Sequence, residues 1–410
     1  MNAESLASAL DASLHPRLSW SARRLVRLLQ PLRRGVLSLV FADAEVCLYG
    51  ARPGPAATLH VERPGALLRR LMWRGDLGFA EAYIAGDWHS EELAEALHLF
   101  AVNLDAYADV ERRHGIVRWL TRAQHRLRRN TLRGSRRNIS AHYDLGNDFY
   151  ARWLDPGMTY SAGLFTHGDV RSSELSEAQQ HKYQRMLALS GARPGQTILE
   201  IGCGWGGFAE YAAQRGHRVI GLTLSREQLA YARQRIAAAG LQDLVDLRLC
   251  DYRNFHGEVD HIVSIEMFEA VGSEYWETFF ATMARCLRPG GQAALQVITI
   301  DETLFDTYAS NPGGFIQRYI FPGGMLPTVT HLNALAADAG MAVQQLDGFG
   351  RDYAETLVRW REAFDADVPW LDAHGYDARF RRTWRYYLAF CEAGFTSAQL
   401  DVVQIALRKE

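Results

Sequence analysis

Short apolar runs alternate with amphipathic stretches through the second half of the chain. Five segments rich in Val, Ile and Leu have the pattern of strands: TILEIG, HRVIGLTL, VDLRLCDY, VDHIVSIEM and GGQAALQVITI. Stretches with apolar residues at helical spacing separate them, among them SREQLAYARQRIAAAG and EYWETFFATMARCLRPG. Apolar runs bounded by helices are typical of buried strands in a parallel sheet. The pattern predicts βαβ units and a doubly wound α/β sheet.

The first part of the chain has a different texture. VLSLVFADAEVCLYG and ATLHVE have the pattern of strands, whereas PGALLRRLM and SEELAEALHLFAVNL have that of helices. We therefore predict a smaller α+β accessory domain over residues 1–108, an arginine-rich linker over residues 109–137 and the main α/β domain over residues 138–410.

The composition is that of a globular protein, and the lengths of the apolar runs and the spacing of the cysteines indicate its expected compartment. Hydrophobic residues make up 48% of the chain and charged residues 22%, which is ordinary for such proteins. No apolar run approaches the roughly 20 residues of a membrane span, and the N-terminus has no apolar signal core, so we expect a cytoplasmic protein. The five cysteines show no metal-ligand spacing and predict reduced thiols.

Arginines are concentrated in two segments, although the formal net charge is only −2. Residues 111–137 carry ten arginines against one acidic residue, and residues 17–34 carry six arginines and no acid. Apolar residues are interleaved, as in SWSARRLVRLLQPL, which suits amphipathic helices at an anionic membrane surface. A solvated helix face or linker is the plainer alternative. No nucleic-acid-binding motif accompanies the charge, so no nucleic acid partner is predicted.

A glycine-rich turn follows the first strand of the larger domain. Gly202, Gly204 and Gly207 fit the spacing G-x-G-x-x-G, and glycines let backbone N–H groups approach a ligand closely. Dinucleotide-binding enzymes share this spacing but place an Asp or Glu about 20 residues later, at the next strand end. That strand end here, VIGLTLS, has no carboxylate. NAD is therefore disfavoured, and a turn that serves only strand–helix packing is the other alternative.

The residues around this turn resemble a known enzyme family. LEIGCGWGG followed by GLTLSREQ is similar to the S-adenosylmethionine-dependent methyltransferases of the cyclopropane fatty acid synthase and mycolic acid cyclopropane synthase group. Further blocks match in order: ISAHYDLGNDFYARWLDPGMTYSAGLF, LCDYRNF, VSIEMFEAVG, YIFPGGMLP, RDYAETLVRW and YYLAFCEAGF. The resemblance covers about residues 138–406 and, more weakly, the N-terminal section. It implies a class I, Rossmann-like methyltransferase fold with helical insertions, preceded by a lipid-associated domain.

The same resemblance implies which residues bind S-adenosylmethionine. The glycine turn and Glu200 would hold the methionine portion and the neighbouring ribose. Taken singly, each matched residue has an ordinary packing or capping explanation, and their occurrence together in order favours the cofactor. The full set is Tyr160, Ser161, Glu200, Gly202, Gly204, Trp205, Gly207, Thr223, Gln228 and Tyr252.

A proton-accepting site is implied as well. Cyclopropane synthases hold a bicarbonate ion as base, and Glu269, Tyr353 and the Ile298 backbone match part of its site. Ala162 and Gln296 stand where the family has a cysteine and a histidine. Bicarbonate is therefore an open part of the prediction.

An extra carboxylate, Glu266, lies three residues before Glu269. We hypothesise that Glu266, paired with Gln296, takes over part of the base's task, because an enclosed pair of carboxylates raises one pKa. A loop or capping role is the alternative. Cys391 matches a cysteine of the C-terminal block; a thiolate is not needed for methyl transfer to an alkene, so we expect it to line the lipid pocket, or to be a buried inert thiol.

The implied reaction transfers a methyl or methylene carbon to the cis double bond of unsaturated phospholipid acyl chains, at the inner membrane face. The product is a cyclopropane or a methylene branch, and SIEMFEAVG, LQVIT and YLAFCEAGF favour the methylene-forming relatives. A small-molecule methyltransferase, a lipid-binding protein with a vestigial cofactor fold and an NAD-dependent reductase are the alternatives. The sequence does not fix the oligomeric state, and a homodimer is the assembly considered.

Overall fold

The computed structural model describes residues 18–107, 145–165, 170–310 and 313–410. The chain forms two compact units, and residues 371–397 pack with the first of them. The sequence pattern had assigned those residues to the larger domain. The predicted limits of the domains stay a prediction, and the predicted linker lies outside the described residues.

The first unit contains a four-stranded sheet in the order β2-β1-β3-β4. β1 and β2 form an antiparallel hairpin, and β1 is parallel to β3. The long C-terminal helix packs on two N-terminal helices of this unit. The strands are β1 (Arg34–Phe41), β2 (Ala44–Tyr49), β3 (Arg52–Val61) and β4 (Trp88–His89), and the helices are Trp20–Leu29, Pro64–Ala85, Leu93–Ala101 and Ala378–Thr396.

The second unit is built on a seven-stranded sheet in the order β10-β11-β9-β8-β5-β6-β7. β5 to β9 pair in parallel, and β11 is antiparallel to both of its neighbours. The strands are β5 (Thr197–Ile201), β6 (Arg218–Thr223), β7 (Val245–Leu249), β8 (Val259–Ile265), β9 (Leu287–Ile300), β10 (Met341–Gly348) and β11 (Leu400–Lys409).

Helices connect most of these strands. The longer ones are Leu175–Ser190, Arg226–Ala238, Trp276–Cys286, Val329–Asp338 and Gly350–Ala366. The shorter ones are Asn147–Tyr150, Gly207–Ala213, Glu302–Ser310, Phe315–Tyr319 and Val368–Ala373, the last at the limit between the units. Single 3₁₀ turns occur at Val170–Ser172, Tyr252–Asn254, Phe268–Ala270 and Ser273–Tyr275.

Neighbouring residues of the central strands face two separate hydrophobic cores. Ile198 packs with the helices Leu175–Ser190 and Arg226–Ala238, whereas Leu199 packs with Trp276–Cys286 on the opposite face. A strand buried on both faces explains the continuous apolar runs of the sequence. The predicted doubly wound α/β fold is confirmed.

The connections change direction between β5 and β8. β6 and β7 lie to one side of β5, while β8 and β9 lie to the other. Ligands of open α/β sheets bind at the carboxyl ends of the strands at such a switch point. Among the described residues, no helix combines the length and the apolar character needed to cross a membrane.

Candidate active site

The turn after β5 is shaped by glycines with positive φ. Gly202, Gly204 and Gly206 have φ of 88°, 50° and 82°. A Cβ at Gly202 would lie 2.7 Å from Met267 Cγ, and one at Gly207 would lie 2.5 Å from the Tyr183 hydroxyl. A Cβ at Gly204 would meet no protein atom within 4 Å. Packing thus explains Gly202 and Gly207, whereas Gly204 faces open space of the kind that a ligand fills.

Two buried polar atoms near the carboxyl ends of the parallel strands have no hydrogen-bond partner among the described residues: Glu200 Oε2, on β5, and Tyr252 Oη, just beyond β7. Burial raises the pKa of Glu200 to about 8, although the charges of Lys182 and Arg235 oppose the shift. Buried polar groups in proteins are nearly always paired. The glycine turn and these two atoms therefore fit a polar ligand such as S-adenosylmethionine.

Thr223 and Gln228 meet at the end of β6. The Thr223 hydroxyl donates to Gln228 Oε1 over 3.1 Å, and both side chains are buried. Ser225 caps the helix Arg226–Ala238 by accepting from the Gln228 N–H. A capped helix start therefore holds this pair beside the glycine turn, on the strand next to β5.

Glu266 lies just beyond β8, where its φ is 48°. Its Oε1 accepts hydrogen bonds from the Ala162 N–H over 2.8 Å and from Gln296 Nε2 over 2.7 Å. Its Oε2 accepts from the Tyr353 hydroxyl over 2.6 Å. Gln404 Nε2 in turn donates to Gln296 Oε1 over 2.8 Å and fixes that amide's orientation. Glu266 thus joins residues from four separate parts of the second unit.

Glu269 lies beside Glu266 and is held differently. Its Oε1 accepts from the Ile298 N–H, and its Oε2 is buried without a partner among the described residues. Burial, and after it the charge of Glu266, raise the pKa of Glu269 to about 8. Burial also raises the pKa of Glu266, but its three hydrogen bonds and Lys182 oppose the shift. Those donors favour the ionised form of Glu266, so a proton that the pair holds is favoured on Glu269.

Comparisons with known proteins place the chain in a family. The family model of mycolic acid cyclopropane synthetase matches residues 130–405, more than half of the chain. The chain belongs to this family. It is an S-adenosylmethionine-dependent methyltransferase, as the resemblance of its sequence blocks implied.

Relatives match over most of their length. The chain is 40% identical over 383 residues to the tuberculostearic acid methyltransferase of Mycobacterium tuberculosis, covering 91% of this chain and 88% of that one. It is 34% identical over 374 residues to the cyclopropane-fatty-acyl-phospholipid synthase of Escherichia coli, covering 90% and 92%. A mycolic acid cyclopropane synthase solved with SAH and CTAB superposes with a TM-score of 0.63 at 32% identity, covering 67% of this chain and 98% of that one. The predicted methyltransferase fold is confirmed.

The family resemblance matched Tyr353 and the Ile298 backbone to a bicarbonate site, with Ala162 and Gln296 at two positions that depart from it. The chain's own carboxyl groups engage all four: Tyr353, Gln296 and the Ala162 N–H donate to Glu266, and the Ile298 N–H donates to Glu269. A further anion would need these donors and would lie against two carboxyl groups. The residues present therefore do not fit a bicarbonate ion.

Aromatic rings pack beside the carboxylates. The ring of Tyr160 lies 5.4 Å from those of both Trp153 and Trp360, and Tyr353 packs edge-on against Trp360 at 6.0 Å. Trp205, of the glycine turn, packs against Tyr150 and donates through Nε1 to Asn147 Oδ1 over 2.7 Å. Tyr353 thus belongs both to the aromatic cluster and to the Glu266 hydrogen-bond network.

Cys391 lies in the first unit, on the helix Ala378–Thr396. Its thiol is free, and burial raises its pKa to about 12, so it stays protonated at neutral pH. That state agrees with a thiol that takes no part as a nucleophile. Its predicted place in a lipid pocket stays a prediction.

Sequence reasoning missed two parts of the site. Gly206 also has a positive φ but falls outside the G-x-G-x-x-G spacing. Lys182 is fully buried, and its ammonium donates to Ser161, one of the residues assigned to the cofactor. The signal in the sequence that could have drawn attention to Lys182 is the rarity of lysine, because Lys182 and Lys409 are the only lysines in the sequence.

Proposed function

We propose that this methyltransferase delivers its methyl carbon to the cis double bond of an unsaturated phospholipid acyl chain. The observation that carries the proposal is the buried carboxylate pair Glu266 and Glu269, set beside aromatic rings at the switch point of the sheet. A proton acceptor and apolar aromatic walls suit an alkene substrate. The cyclopropane-fatty-acyl-phospholipid synthase among the relatives supports the same substrate class.

The bound cofactor supplies an activated methyl group on a sulfonium. Addition of that carbon to an alkene leaves a carbocation on the acyl chain. The faces of Tyr160, Trp360 and Tyr353 stabilise positive charge without forming a bond to it. A pocket closed to water protects the cation from hydration. The cofactor is proposed to bind to the glycine turn and to the side chains of Ser161, Thr223 and Gln228.

Glu266 is proposed as the proton acceptor, because its three donors favour its ionised form and fix its position. Gln296 and Tyr353 orient it, and the protonated Glu269 limits repulsion between the carboxylates. A proton lost from the added methyl group closes a cyclopropane ring. A hydride shift that first moves the cation to the methyl-bearing carbon, followed by loss of a methyl proton, gives a methylene branch instead, and the similarity to a tuberculostearic acid methyltransferase favours this outcome.

The function is tested by expressing the chain in a host that makes monounsaturated acyl groups and analysing its lipids by mass spectrometry. We expect monounsaturated species to gain the mass of one CH₂ group, and catalytic hydrogenation then distinguishes a ring from a branch. A Glu266→Gln variant of equal abundance serves as the control and leaves the lipids unchanged. Unmodified lipids alongside soluble, cofactor-binding wild-type protein would contradict the proposal and favour a small-molecule substrate.

A membrane-contact surface is proposed on the first unit, consistent with a peripheral, cytoplasmic enzyme. Trp20 is 73% exposed and begins a helix whose outward residues include Arg23, Arg24 and Arg27. This helix packs on Pro64–Ala85, which exposes Trp73. Exposed tryptophans beside arginines suit the interface of an anionic bilayer. The homodimer considered from the sequence stays a prediction.

Vesicle co-sedimentation tests this surface. Trp20→Ser with Trp73→Ser should weaken binding to vesicles containing phosphatidylglycerol, and added salt should weaken wild-type binding. Leu249→Ser removes an exposed apolar side chain from the second unit and is the matched control. Equal binding by all three proteins would show that the arginines and tryptophans are simply solvated.

A further inference from the structure

Lysine is almost absent from this chain. Two of its 45 Lys and Arg residues are lysine, so arginine supplies nearly every cation. Lys409 lies near the C-terminus and donates to the Leu287 carbonyl. Lys182 lies on the helix Leu175–Ser190 and is completely buried. A buried ammonium is costly, so its presence calls for a physical explanation.

The Lys182 ammonium is tied to the segment that carries the cofactor residues. Nζ donates to Ser161 Oγ over 2.6 Å and to Gln179 Oε1 over 2.5 Å. Gln179 Nε2 donates to the Ser161 carbonyl over 2.9 Å. Ser161 is thereby held through its side chain and its backbone. The next residue, Ala162, presents its N–H to Glu266.

Three carboxylates on separate parts of the chain interact electrostatically with this ammonium. Glu266 lies at the end of β8, Glu200 lies on β5, and Asp155 lies in the loop before Tyr160. The Tyr183 ring lies 4.6 Å from Nζ on its own helix. Burial lowers the pKa of Lys182 to about 7, although the three carboxylates oppose the shift.

The remaining charged groups of this cluster act on the carboxylates. Arg235 acts on Glu200, and Glu266 acts on Glu269. Asp155 accepts backbone hydrogen bonds from Gly157 and Thr159. Lys182 is therefore a cation that the cofactor-side carboxylate Glu200 and the proton acceptor Glu266 share.

We propose that Lys182 is a positioning residue for methyl transfer: it anchors Ser161, and so the Ala162 N–H, and its charge keeps Glu266 ionised. The inference rests on the proposed proton-accepting role of Glu266. Lysine suits this place better than arginine, because an ammonium is a compact charge with three donors, whereas a buried guanidinium must satisfy five.

The first test compares pH–rate profiles of wild type, Lys182→Met and Gln179→Leu. Without the neighbouring cation the pKa of Glu266 rises, so the acidic limb of Lys182→Met should move to higher pH. At a fixed pH on that limb, the rate should fall about tenfold for each pH unit that the limb moves. Gln179→Leu disturbs Ser161 but keeps the charge, so its limb should stay at the wild-type position. A folded Lys182→Met protein with a wild-type limb would overturn the proposal.

The second test needs no turnover. In protein labelled with ¹³C at the lysine ε-carbons, two NMR signals are expected, and Lys409→Arg assigns them. The Lys182 signal should titrate with a pKa of about 7, well below the ordinary value for lysine, and Glu266→Gln should lower this pKa further, because a neighbouring negative charge is removed. An unchanged Lys182 titration in Glu266→Gln would refute the coupling. Wild-type turnover by Glu266→Gln would instead refute the proposed base, so the two failures are distinguishable.

Discussion

At the scale of single residues, Glu266 is the most informative position. Its positive φ is unfavourable for an L-residue by about 1–2 kcal/mol. Such a conformation persists only where the surroundings hold it, and here three hydrogen bonds do so. The strained backbone and the hydrogen-bonded carboxylate together support a role in the reaction over a simple capping role.

Removing this side chain should create an anion site. Glu266→Gly relieves the strain and leaves the donors of Ala162, Gln296 and Tyr353 open, so we expect turnover to fall about 10²- to 10⁴-fold and to recover in part with added formate or bicarbonate. Glu266→Gln fills the same space and should not be rescued. Turnover is measured in buffers stripped of carbon dioxide. Wild-type activity that vanishes in those buffers would contradict the internal base.

The Glu269 carboxyl should make stability depend on pH. Its pKa of about 8 in the folded protein lies above the ordinary 4.5, so the folded state keeps a proton that the unfolded state loses. Its contribution is therefore full below about pH 4.5 and is lost as the pH rises towards 8. Glu269→Gln cannot titrate, so its melting temperature should fall less than that of wild type between pH 5 and 8. An equal fall in melting temperature for both proteins between pH 5 and 8 would refute the raised pKa of Glu269.

At the scale of elements, substitutions in the glycine turn distinguish the effect of backbone strain on stability from a loss of cofactor affinity. Gly204→Ala adds a Cβ to the open space where the cofactor is proposed to bind. It should therefore lower the affinity for S-adenosylhomocysteine, measured by calorimetry, by at least tenfold. Gly240→Ala is the matched control, because Gly240 has φ of 68° and equally open surroundings at a helix end. The melting temperature should fall by a similar amount in both variants, because both add a Cβ at a positive φ. Equal affinities would show that the turn does not hold the cofactor.

The strands with strong apolar patterns were predictable, and others were not. β5 to β9 agree with the predicted segments to within a few residues. The apolar signal is continuous where both faces of a strand are buried, as in β5 and β8, whereas β7 at the sheet edge keeps only alternate residues buried. β10 is largely half-buried or exposed, so its apolar signal is weak. The helix Pro64–Ala85 continues past its predicted end across a break at Gly75, whose φ of 55° and ψ of −131° are not helical.

The site residues were predictable from motifs, but their contacts were not. Glu266 was singled out as an extra carboxylate beside Glu269. Its partner Ala162 is 104 residues away in the sequence, and Tyr353 is 87 residues away. Such contacts follow from the sheet order and the helix packing, which local patterns do not contain. Lys182 belongs to none of the motifs described above, so its role could not be predicted from them.

At the scale of the whole molecule, the chain returns to its first unit near the C-terminus. The helix Ala378–Thr396 buries Trp384, Tyr386 and Tyr387 and packs on helices of residues 64–101. Residues 138–410 expressed alone would therefore expose these aromatic rings. We expect that fragment to bind a hydrophobic dye and to melt below the full chain. A fragment as stable as the full chain would show that the helix is supported elsewhere.

The position of β11 has a consequence for folding. It follows β10 in the sequence, yet it inserts between β9 and β10. Gln404 lies on this strand and orients the Gln296 amide, so Gln296 acquires that partner only when β11 has entered the sheet. The proposed proton acceptor should therefore reach its final hydrogen-bonded arrangement only after the central strands have been joined by β11.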